Sequence, residues 1–130
     1  MSFEYAFDAP QSTHCLAIHN DDRTVWAYLH GADGVISDVW LFNVQPAPDE
    51  IVPERDRPPL NAGRYCSPDA RPVIEYPDDA TVRWEYDDSG NLTAAEVIVE
   101  GERLARLEPG ATPAWSRFAV VDGPCARRLT

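Results

Sequence analysis

Apolar and polar residues alternate with a period of two along much of this chain, the repeat of a strand with one face toward a core. At residues 25–44, VWAYLHGADGVISDVWLFNV, the alternation gives way to two nearly continuous apolar runs that flank the turn Gly31-Ala32-Asp33-Gly34. Runs rich in β-branched and aromatic residues around a short glycine-bounded turn predict a hairpin. Strands are expected at 13–19, 24–30 and 35–44, with Asn20-Asp21-Asp22-Arg23 as the first polar turn. Upstream, Phe3, Tyr5 and Phe7 alternate within a mixed arm at 1–12, which suits a short edge strand.

A second meander is expected downstream. Residues 80–87 place Val82, Trp84 and Tyr86 on one face and Arg83 and Glu85 on the other. After the turn Asp88-Ser89-Gly90-Asn91, a strand at 92–100 points Ala95, Val97 and Val99 inward. A tight turn at Gly101 leads to a last strand at 103–107. Thr112-Pro113 resembles an N-cap followed by proline at the first helical position. That predicts short C-terminal helical turns, one through Trp115-Ser116-Arg117-Phe118 and one over 123–128.

Between the meanders, residues 45–77 hold eight of the twelve prolines. Proline removes ladder donors and fixes φ, so neither a long helix nor a central strand fits there. The segment is expected to be an ordered, extended wrap, held by Ile51, Val52, Leu60 and Tyr65, with a short strand at 72–76.

If both turns of the first meander are four-residue loops, Ile18 faces Val25, Leu16 faces Ala27, Leu29 faces Ile36, and Val25 faces Trp40. Leu16, Ile18, Val25, Ala27, Leu29, Ile36, Asp38, Trp40 and Phe42 then share one face with His14. Cys15, Ala17, His19, Trp26, Tyr28, His30, Val35, Ser37, Val39 and Leu41 share the other. Both faces are largely apolar, so each needs cover or a ligand. The expected architecture is all-β: an antiparallel barrel or two-layer sandwich of six to seven strands built from two meanders. A length of 130 residues suits a single domain over 1–130.

Charge narrows the partners. The formal net charge is −11, which repels phosphate backbones and anionic headgroups and favours a basic protein partner. Neither nucleic-acid nor membrane binding is expected. Residues 75–108 hold ten acidic residues and three arginines, whereas the stretch from Pro109 is net basic. All eleven basic residues are arginine. Without lysine there is no Schiff-base chemistry and no P-loop lysine. Three widely spaced cysteines, no signal-like N-terminus and no apolar run near membrane length point to a reducing cytoplasm.

Catalytic signatures are sparse. No G-x-S-x-G elbow or glycine-rich phosphate loop occurs. His19 and His30 fall at opposite ends of their hairpin, so no metal site, cofactor or catalytic residue is assigned. Asp78-Asp79 and Asp87-Asp88 fall in turns, where solvation explains them. Asp38 is the exception, a carboxylate in the middle of an apolar face. Such a group is clamped by a cation, Arg64 for example, or has a raised pKa and serves a site. Trp26, Tyr28 and His30, alternating on one strand, form an aromatic platform. Trp26, Tyr28, His30, Asp38 and Trp40 are therefore the candidate binding residues. The expected function is a small, acidic, cytoplasmic, non-catalytic binding protein for a basic protein, acting as a monomer or homodimer. An immunity-type inhibitor is one form such a protein takes. The alternative is a small-molecule or enzymatic β-barrel with its site around Asp38, Trp40 and Tyr28.

Overall fold

The computed structural model describes residues 2–130; Met1, the first residue of the expected arm, lies outside the described residues. The fold is all-β and sandwich-like, made of two sheets with no closed barrel. The first sheet runs β1 (Phe3–Asp8), β2 (Cys15–Asn20), β3 (Thr24–Gly31) and β4 (Gly34–Asn43) in sequential antiparallel order. The second runs β5 (Ala80–Tyr86), β6 (Leu92–Val99), β7 (Glu102–Leu107), β8 (Trp115–Ser116) and β9 (Arg127–Arg128), with β8 and β9 parallel. Both expected meanders are present, and the alternating Phe3, Tyr5 and Phe7 do form an edge strand.

The expected C-terminal helical turns are absent. The 3₁₀ turns sit instead at Gly63–Tyr65 and Pro77–Asp79. After Pro113 the backbone is taken up by ladder bonds: Ala114 N–H donates to the Asp38 carbonyl at 2.7 Å, and Arg127 N–H to the Ala114 carbonyl at 2.8 Å. A donor committed across the sheet cannot close an i→i−4 bond, so the capping signal at Thr112-Pro113 is overridden. The short strand expected at 72–76 is also absent.

The register of the β3–β4 hairpin decides where the candidate residues lie. Gly31 pairs with Gly34 and His30 with Val35, as four-residue loop geometry predicts. The next pair is Leu29 with Ser37. Ile36 is an extra residue, a β-bulge, and Gly31 makes room for it: a Cβ there would meet Ile36 Cγ2 at 3.3 Å. The bulge shifts the following residues by one, so Tyr28 pairs with Asp38 and Trp26 with Trp40. A one-residue slip moves side chains to the opposite face. Asp38 and Trp40 therefore join Trp26 and Tyr28, whereas the sequence places them opposite. A second irregularity at Leu41 then pairs Val25 with Phe42. The first hairpin slips by two, pairing Ile18 with Ala27 and Leu16 with Leu29, which keeps every residue on its expected face.

Leu16, Ile18, Ala27, Leu29 and Val39 are fully buried on one face of the first sheet. They belong to one hydrophobic cluster with Ala95, Val97, Val99, Ala105 and Leu107 of the second. The free edge of β4 is closed by the chain beyond β7. Gly110 N–H donates to the Ile36 carbonyl at 2.7 Å, Asp38 N–H to Ala111, and Trp40 N–H to the Cys125 carbonyl at 3.0 Å.

The proline-rich segment lies along the other face of the first sheet. Trp26 Nε1 donates to the Pro59 carbonyl at 3.3 Å. Arg23 donates to the Pro58 carbonyl and pairs with Asp21 and Glu54, each at 3.2 Å. Asn43 is the anchor: its Oδ1 accepts from Trp40 Nε1 at 2.9 Å and from Asn61 N–H at 3.0 Å, while its Nδ2 donates to the Asn61 carbonyl at 2.9 Å. Ile51 packs on the core cluster, whereas Val52 is exposed.

Candidate functional site

The wrap stops short of covering the whole face. Between it and β3–β4 lies an open groove of about 380 Å³. Trp26, Tyr28 and Asp38 form one side and residues 55–59 the other. Trp26 is its floor, buried to 6% exposure, with its ring 6.4 Å from that of Tyr28 and tilted by 16°. Tyr28 and Asp38 are half-buried cross-strand partners. Asp38 is fixed from both sides, by Tyr28 across the ladder and by the Ala111–Ala114 backbone along the capped edge.

No cation or hydrogen-bond donor holds the Asp38 carboxylate among the described residues. Arg64 is engaged elsewhere, 3.0 Å from Glu50 and stacked over Tyr65. The expected clamp is therefore not made: residues 55–59 of the wrap, not Arg64, lie across the groove from Asp38. Burial pushes the Asp38 carboxyl up from its ordinary value. Burial likewise raises the Tyr28 phenol to about 12, with Asp38, Asp21 and Glu4 adding to the effect. Arg57 on the opposite wall is drawn to Glu54 at 3.2 Å, while no ion pair engages Arg55 among the described residues.

Two of the five candidate residues lie outside the groove. Trp40 is fully buried and uses its indole N–H on Asn43. His30 sits at the turn end of the hairpin, opposite Cys15 on β2 and Val35 on β4. The slip by two in the first hairpin puts Cys15 opposite His30 rather than Tyr28, which the expected Leu16–Ala27 register would have placed there. The Cys15 thiol is pushed up by burial and by Asp8, the reverse of a nucleophile's environment. His14 contacts the Ser12 hydroxyl at 2.8 Å and His19 contacts Glu4 at 3.2 Å. Among the described residues no three His, Cys, Asp or Glu side chains converge on a point that would hold a metal ion, and no helix is long and apolar enough to cross a membrane.

The wall at residues 55–59 was not among the sequence candidates. Its signal was present: a proline-rich cover over an aromatic face must end somewhere, and where it ends the face is open. Another carboxylate on a strand, Glu96, gives a contrast. Glu96, 1% exposed on β6, accepts from Arg83 Nε at 3.0 Å, Arg103 at 3.1 Å and Arg106 at 3.2 Å. These guanidiniums hold its carboxyl below the usual range despite burial. The fold thus compensates one intruding carboxylate three times over and leaves the other bare. No family model, curated protein or solved structure matches this chain.

Proposed function

We propose that this protein is a small, non-catalytic, cytoplasmic binding protein that engages a basic protein partner through the Trp26–Tyr28–Asp38 groove. The observation that carries the reading is Asp38, an uncompensated carboxylate beside two aromatic rings on an open part of the face. A partner that brings a cation supplies what the fold withholds, and the aromatic rings supply contact area. The net charge of −11 steers a basic protein toward the molecule. Nucleic acid and anionic membrane are poor matches, because seven arginines are already paired with the chain's own carboxylates.

The test is affinity capture from native lysate at low and moderate salt, with wild type beside Asp38→Asn and Tyr28→Leu. A stoichiometric basic protein retained by wild type, and reduced at least tenfold on both variants, is the expected result. A partner retained equally by all three, or none at either salt, overturns the reading. The second reading is a small-molecule site, favoured by a groove volume within the range of ligand pockets and by the raised Asp38. It has less support: Trp40 is sealed off, and the groove holds neither histidine nor cysteine.

A further inference from the structure

We propose that the groove is a subsite for one arginine side chain of the partner, its guanidinium forked onto Asp38 and lying against Tyr28. This rests on the reading of a basic protein partner and narrows it to one chemical group. Three observations favour guanidinium over ammonium. Among the described residues no donor reaches either oxygen of the Asp38 carboxylate, so it accepts two parallel N–H bonds at once. The ring of Tyr28 is held within 16° of parallel to that of Trp26, so it meets a flat cation in one fixed orientation. The site is half-buried, and guanidinium is more weakly hydrated than ammonium and loses less on entering it.

The surroundings limit the site to one cation. Asp38, Asp21 and Glu4 make the field at Tyr28 negative. On the far wall Asp56 lies between Arg55 and Arg57, and Arg57 is paired with Glu54, so Arg55 is the charge that opposes a second cation from that side. The chain uses the same chemistry internally, where Glu96 binds guanidiniums of Arg83, Arg103 and Arg106.

Nuclear magnetic resonance titration of the full chain tests this, with N-acetyl-arginine amide as probe and the matching citrulline and lysine amides as controls. The arginine probe should shift the Trp26 indole N–H and Tyr28 ring signals, with a Kd on the order of 1–10 mM for a lone side chain. Citrulline, isosteric but neutral, should bind at least tenfold more weakly, and lysine several-fold more weakly. Asp38→Asn should lower the arginine affinity at least tenfold while keeping the spectrum of the folded sheet. Tyr28→Leu preserves apolar bulk, removes the ring and should lower it several-fold. Citrulline or lysine binding as tightly as arginine, unchanged affinity in Asp38→Asn, or shifts that bypass Trp26 and Tyr28 would each overturn the proposal. So would a homodimer by light scattering that Arg55→Ala dissolves, since a second copy's Arg55 would then fill the groove. If the arginine probe fails while a basic protein is still captured through Asp38 and Tyr28, the subsite falls and the broader reading stands.

Discussion

At the scale of single residues, two carboxylates on sheet faces have opposite energetics. Asp38 has a raised pKa, so the folded state holds its proton more tightly than the unfolded chain does. Its ionisation therefore lowers stability as pH rises above the unfolded value of about 3.9. Asp38→Asn should stabilise the protein at pH 7 by roughly 0.5–1 kcal/mol, an advantage that vanishes below about pH 4. Denaturant unfolding at both pH values checks this; a less stable variant at pH 7 would mean that the carboxylate has a partner in the fold. Glu96 runs the other way. Its pKa is lowered, so its contribution is complete above the unfolded value of about 4.3 and is lost as pH falls through the folded value. Glu96→Gln should destabilise by about 2 kcal/mol at pH 7, because its three arginine partners are partly exposed and rehydrate. Unfolding at pH 7 and pH 3 should show the gap narrowing at the lower value. A residue that destabilises the fold where it could have been neutralised is the usual mark of a site.

At the scale of elements, the pattern of apolar positions was enough for both meanders, and the pairs nearest the Gly31–Gly34 turn follow directly from it. It was not enough for the face on which Asp38 lies. Ile36 is one more β-branched residue in a run that is apolar on both faces, and nothing in its identity marks it as a bulge. The bulge is favoured by what it achieves in three dimensions: Ser37 and Val39 go to the buried face, and Asp38 goes to the groove. Only Gly31, which leaves space for Ile36, hints at it in the sequence. The C-terminal turns failed for a related reason, since capping residues describe a local preference and Ala114 answers to Asp38 across the sheet. Deleting Ile36 should remove the bulge and leave a continuous ladder, with Leu29 still opposite Ser37 and Tyr28 still opposite Asp38. We expect a cost of about 1–2 kcal/mol for the lost packing of the partly buried Ile36 side chain, in thermal unfolding followed by near-ultraviolet circular dichroism. A deletion variant with no cooperative transition would show that Ile36 is not the extra residue of the ladder.

At the scale of the whole molecule, the net charge of −11 acts on folding and on binding with opposite signs. Self-repulsion weakens the compact state, and salt screens it. Raising sodium chloride from about 20 to about 200 mM should therefore raise Tm by a few degrees in differential scanning calorimetry while weakening capture of a basic partner. Salt moving both in the same direction would mean that binding does not draw on the overall field. The clasp between Asn43 and Asn61 adds a kinetic consequence. It pins the wrap whose Pro58 and Pro59 form the lip of the groove. A lip already in place has nothing left to order when a partner arrives, so association needs no prior opening step. For the basic partner proposed above, encounter would then be the rate-limiting event, hastened by the field, and the lifetime of the complex would distinguish a right partner from a wrong one.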